Sequence, residues 1–125
     1  MVDKKKIVII DDDEDLLILL THAFEKEGFE VITFVKGADA SLYLSNPKNL
    51  QNVSLILLDR LLPDSDGLEI LQHFREKSEI PVLILSVLSS EKDVLNGLKT
   101  GAVDYVSKPF SLPVLIKKAK MLIKK

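Results

Sequence analysis

The 125-residue chain contains no cysteine. That removes disulfides, thiolate nucleophiles and zinc-thiolate sites at once, and it fits a cytoplasmic protein. An excess of one charge sign is also lacking: 17 Lys and Arg stand against 19 Asp and Glu, a formal charge of -2. Neither direct nucleic-acid binding nor a membrane surface is expected from that balance. No apolar run approaches the length of a membrane span. "IVII" gives way to acid too soon to be the core of a signal peptide. No linker, repeat or low-complexity stretch divides the chain, and its length suits one domain over residues 1–125, with no second domain expected. Lysines crowd both ends, at Lys4, Lys5 and Lys6 and at Lys117, Lys118, Lys120, Lys124 and Lys125. They are read as solvated termini around an acidic middle.

What the chain does have is alternation. "KIVII" (6–10), "EVITF" (30–34), "VSLILL" (53–58), "PVLIL" (81–85) and "VDYV" (103–106) read as five strands. Three of them are continuously apolar, as parallel strands covered on both faces should be. Between them run helical stripes: Leu16, Leu20, Ala23 and Phe24; Leu68, Leu71 and Phe74; Val94, Leu95 and Leu98; and Leu115, Ala119, Leu122 and Ile123. A further helix is expected over 36–45. Gly28, Asn46-Pro47 and Gly101 supply stops. The order βαβαβαβαβα predicts a three-layer α/β/α sandwich, with a five-stranded parallel sheet of order 2-1-3-4-5 and five helices.

In such sheets the functional crevice opens beyond the carboxyl ends of the strands. Asp11 and Asp12 follow the first strand, Asp59 the third, Ser86 the fourth and Lys108 the fifth. Three converging carboxylates repel one another unless a cation joins them. Oxygen-only donors point to a hard ion, and a few carboxylates with waters suit Mg²⁺. A divalent ion, an ammonium and a hydroxyl around one aspartate make that aspartate a plausible phosphoryl acceptor. The rest of the acidic run "IIDDDEDL", Asp13 to Asp15, reads as a helix start, and Asp66 as the N-cap of the third helix.

"IIDDDEDL", "LILLDRLLPDSDGLEIL", "VLILSV" and "GAVDYVSKPF", in that order and spacing, resemble the receiver domain of two-component response regulators. The resemblance covers essentially the whole chain. It implies a phosphorylation-dependent signalling switch rather than an enzyme, with Asp59 accepting a phosphoryl group from the phosphohistidine of a sensor histidine kinase. It implies Mg²⁺ held by Asp12, Asp59 and the backbone carbonyl of Leu61, with Asp11 acting mainly through a bound water. Lys108 is implied to pair with Asp59 and then with the phosphoryl oxygens, and Ser86 to move toward them. Tyr105 corresponds to the aromatic that follows that movement, and Lys108-Pro109 to a cis peptide. The implied readout face is the fourth helix, fifth strand and fifth helix, acting on an output domain or a downstream protein.

The chain departs from the family pattern in places. Val87 stands where alanine or glycine is usual, and its bulk is expected to narrow access to Asp59. Leu61 and Leu88 are apolar where many relatives carry polar groups, which implies slow self-dephosphorylation. Val103 replaces an acid often used in pairing receivers, while Lys118 fits that pairing. This mixture is compatible with a receiver dimer on phosphorylation and equally with a monomer. His22 and His73 are expected to be structural or surface residues. Two other classes share features with the chain. A haloacid-dehalogenase-like phosphatase would use Asp11 and Asp13, but Asp15 stands where that motif wants Thr or Val. A flavodoxin would need small donors where five acids stand, and those acids would repel a flavin phosphate.

Overall fold

The computed structural model describes residues 4–123, so Lys124 and Lys125 of the basic end lie outside the described residues. The elements run β1 (Lys6–Ile10), α1 (Glu14–Lys26), β2 (Glu30–Phe34), α2 (Gly37–Leu44), β3 (Val53–Leu58), α3 (Gly67–Arg75), β4 (Val82–Ser86), α4 (Glu91–Thr100), β5 (Asp104–Ser107) and α5 (Leu112–Ile123). A short 3-10 turn over Pro47–Leu50 follows α2. The sheet is parallel throughout, in the order β2-β1-β3-β4-β5. The expected architecture and strand order are therefore present. The last two strands each sit one residue later than their apolar runs indicated, because Ser86 and Ser107 still pair across the ladder.

The strand chemistry explains the layering. β1, β3 and β4 are buried almost throughout, whereas the outer strands β2 and β5 are partly exposed. Alternate residues of the inner strands feed two cores. Val8, Ile10, Ile56, Leu58, Val82 and Ile84 pack with Ala40 and Leu44 of α2 and Ile70, Leu71 and Phe74 of α3. Ile7, Ile9, Leu55, Leu57, Leu83 and Leu85 pack with Leu17, Leu20 and Phe24 of α1 and Leu115 and Ala119 of α5. Side chains alternate across a strand, so one apolar run serves both layers.

Helix ends follow local chemistry. Asp13 caps α1 by accepting from the Leu16 N–H at 3.1 Å, with Glu14 and Asp15 in the first turn, where the helix dipole favours acid. Asp66 accepts from the Leu68 N–H at 2.9 Å and starts α3 as expected. Gly28 ends α1 with φ at 95°, a conformation that L side chains rarely adopt.

One helix departs from its expected face. Val94, Leu95 and Leu98 predicted the buried stripe of α4, yet Leu95 and Leu98 are 46% and 41% exposed and Gly97 is the buried residue. The cause is Tyr105. A Cβ on Gly97 would lie 2.8 Å from its ring and 2.9 Å from Ile84 Cδ1. The helix thus turns its bare backbone toward the sheet to seat that ring. In α1 the buried stripe runs through Leu17, with Leu16 only partly covered.

Candidate functional site at the carboxyl edge of the sheet

Ladder hydrogen bonds carry on past the strands and fix the site residues. The Asp11 N–H donates to Phe34 O (3.0 Å), the Asp59 N–H to Ile10 O (2.9 Å) and the Lys108 N–H to Ser86 O (2.9 Å). Asp11 and Asp59 are consequently buried, at 2% and 5% exposure, although both carry carboxylates. Asp12, at the solvent side of the cluster, is exposed. Carboxylate oxygens of Asp11, Asp12 and Asp59 all lie within 4.8 Å of one another.

Lys108 bridges two of the three. Its Nζ donates to Asp11 Oδ2 at 2.6 Å and to Asp59 Oδ2 at 3.0 Å. Pairing with Asp59 was expected; the shorter bond to Asp11 was not. The remaining oxygens are held by main chain, Asp11 Oδ1 accepting from the Asp13 N–H (2.9 Å) and Asp59 Oδ1 from the Leu61 N–H (3.1 Å). Burial pushes the Asp11 carboxyl above its ordinary pKa despite the opposing pull of Lys108. Burial pulls Lys108 down, but the hydrogen bonds and charges of Asp11 and Asp59 outweigh it and hold the ammonium above the ordinary lysine value. Three carboxylates against one ammonium leave two negative charges to be balanced. An all-oxygen donor set with that deficit fits a hard divalent cation.

The other predicted residues gather around the β4–α4 connection. Ser86 is fully buried, and its Oγ accepts from the Leu88 N–H at 3.2 Å. The Tyr105 hydroxyl donates to the Leu88 carbonyl. Ser86 and Tyr105 therefore meet on the two sides of one residue, while the hydroxyl of Ser86 makes no hydrogen bond to Asp59 or Lys108. Val87 is 58% exposed beside them. The Lys108-Pro109 peptide is cis. His22 and His73 are exposed on α1 and α3. Lys118, which fits the pattern of pairing receivers, makes a 3.0 Å ion pair with Asp104 within its own chain.

Several residues that shape the site escaped the sequence reading. Asp64 accepts from the Gly37 and Ala38 N–H groups (2.7 and 3.0 Å), so the connection after β3 caps α2 from a distance. Those bonds, led by Ala38, hold the Asp64 carboxyl below the usual aspartate range. Gly67 approaches the segment after β3 so closely that a Cβ would lie 2.3 Å from Asp59 O. Arg60 is buried and reaches across to Asp93. Such long-range partners leave no local pattern, although a charged residue directly after a buried acidic strand end was a visible signal.

Residues 7–120 match the response regulator receiver domain family, and the chain belongs to it. Membership makes it a phosphoacceptor switch. Over 111 residues the chain is 36% identical to the phosphate regulon transcriptional regulatory protein PhoB of Rhizobium meliloti (strain 1021). That alignment covers 86% of this chain and 47% of PhoB, so the chain spans about half the length of this curated relative. Among solved structures, the receiver domain of a Francisella response regulator matches with a TM-score of 0.87 and 31% identity, over 97% of this chain and 98% of the other. The BeF3-activated N-terminal receiver domain of Klebsiella pneumoniae RstA matches with a TM-score of 0.87 and 26% identity, over 97% of this chain and all (100%) of the other. Among the described residues no helix is long and apolar enough to cross a membrane.

Proposed function

We propose that Asp59 is the phosphoryl acceptor and that a sensor histidine kinase is the donor. The observation that carries this reading is the Lys108 ammonium bridging two buried carboxylates from different strands. A buried acid cluster with its own cation is poised to receive a third anionic group once further positive charge joins it. In the step itself, an Asp59 carboxylate oxygen attacks the phosphorus of phosphohistidine. The new P–O bond forms as the P–N bond breaks, and the electron pair stays on the imidazole, which takes up a proton.

Mg²⁺ is the cation the donor set suits; Asp12, Asp59 and the main-chain carbonyl of Leu61 would hold it, with Asp11 acting mainly through a bound water, and it would neutralise charge on the incoming phosphoryl oxygens. Lys108 grips one of those oxygens. Ser86 turns its hydroxyl toward another, which frees the Leu88 N–H and changes the support of Tyr105. Val87 lines the approach, and Pro109 sets the turn behind Lys108. The readout face is α4, β5 and α5, which carries exposed Leu95, Leu98, Val103, Val114 and Met121. It acts on an output domain or downstream partner, or pairs two receivers on phosphorylation, with residues 1–125 as one receiver unit in the cytoplasm.

Incubation with a small acyl phosphate and Mg²⁺, followed by intact mass, tests the reading. One added phosphoryl group on the wild type and none on Asp59→Asn is the expected result; equal labelling of the two proteins would overturn it. The same sample should lose the group slowly, because Leu61 and Leu88 offer no polar group to orient an attacking water. Decay no slower than that of Leu61→Asn with Leu88→Glu would count against that part.

A further inference from the structure

We infer that Arg60 is a positioning residue that carries the state of Asp59 to α4; this rests on the phosphoacceptor reading above. Helix α4 has little apolar grip on the body, since Gly97 is its buried residue. It is held instead at its two ends by arginines. At the C-terminal end, Arg75 Nε donates to Gly101 O (2.9 Å), while Nη1 donates to Ser78 O (3.2 Å) and Ile80 O (2.7 Å). Three carbonyls from two connections make that end a fixed hinge.

At the N-terminal end the hold is looser. Arg60 Nη1 donates to Asp93 O (3.2 Å) and lies 3.6 Å from Asp93 Oδ1. Asp93 also closes the capping box that starts α4, its Oδ2 accepting from the Ser90 N–H (3.3 Å) and its own N–H donating to Ser90 Oγ (3.1 Å). Arg60 therefore grips the helix by the residue that builds its first turn. Arg60 Nε is buried and has no hydrogen-bond partner, so the guanidinium is only partly satisfied where it lies.

The main chain beside Asp59 has little room to respond. The Gly67 N–H holds Arg60 O at 2.9 Å, and the close approach of Gly67 blocks the backbone from that side. The Arg60 side chain therefore offers a change at Asp59 a second way out, beside the route through Ser86 and Tyr105. Phosphorylation replaces the single Asp59 carboxylate charge with about two on the phosphoryl oxygens, a net gain of about one negative charge one residue away. That charge competes with Asp93 for the guanidinium, so the first turn of α4 is released while the Arg75 end stays in place.

The full chain tests this in two arms. In the unphosphorylated state, Arg60→Met and, separately, Asp93→Asn should speed amide exchange in the first turn of α4 about tenfold, without a matching change at residues 97–101. After treatment with acetyl phosphate and Mg²⁺, amide shifts of residues 91–96 are compared at equal phosphoryl content, read by intact mass. The wild-type response should fall to less than half in both variants. Unchanged exchange, or a full-sized shift response in Arg60→Met, would overturn the inference. A wild type that takes up no phosphoryl group would overturn the acceptor reading and the coupling with it; faster exchange in the variants would then still establish the tether.

Discussion

Helices α1 and α4 flank the same sheet but are attached by different physics. Leu17, Leu20, Ala23 and Phe24 sink α1 into a core shared with α5. Helix α4 buries a glycine against a tyrosine ring and is clasped at its ends by Arg60 and Arg75. Apolar burial is non-directional and insensitive to a nearby charge, so α1 holds whatever happens at Asp59. An ion pair answers to any new charge within a few ångströms. The molecule thus keeps a helix that stays and a helix that can be re-biased, on opposite faces of one sheet.

Truncating an apolar anchor should separate the two helices most sharply. Leu20→Ala should cost about 2–5 kcal/mol in urea denaturation, since the side chain is fully buried, whereas exposed Leu98→Ala should stay within about 0.5 kcal/mol. Equal losses would erase the distinction. A smaller effect is expected at the seat of α4. Gly97→Ala should destabilise by about 1–3 kcal/mol through overpacking against Tyr105 and Ile84, although alanine is the better helix former by about 1 kcal/mol. A gain in stability there would mean that α4 is free to lift without cost.

The smallest effect concerns α2, whose first turn also hangs on a point contact. The folded pKa of Asp64 lies below its unfolded value of 3.8, so its contribution is present above that value and fades as pH falls through the folded pKa. Asp64→Asn should lower the melting temperature slightly at neutral pH, with the gap to wild type closing in strong acid. A gap that persists there would assign the effect to packing.

Layering and strand order were legible because each inner strand is a continuous apolar run that ends in a chemically distinctive residue. Asp11, Asp59 and Lys108 announced the crevice for the same reason. The face of α4 was not legible: periodicity weighs side chains, and Gly97 has none to weigh. The ion pair of Lys118 with Asp104 was not legible either, because the two residues lie on different elements. Arg60 was passed over as a connection residue, since only the folded chain brings Asp93, 33 residues on, within reach.

The bridge made by Lys108 has one more consequence, for the order in which the molecule comes into being. Its partners lie 97 and 49 residues earlier in the chain. A growing chain that has emerged only as far as Asp59 carries three crowding acids and no ammonium to reconcile them. Neighbouring strands can pair before that, but the acceptor pocket closes only when β5 has docked and delivered residue 108. Competence to receive a signal is therefore a late event in folding, set by non-local contacts that form slowly, and an unfinished receiver is silent.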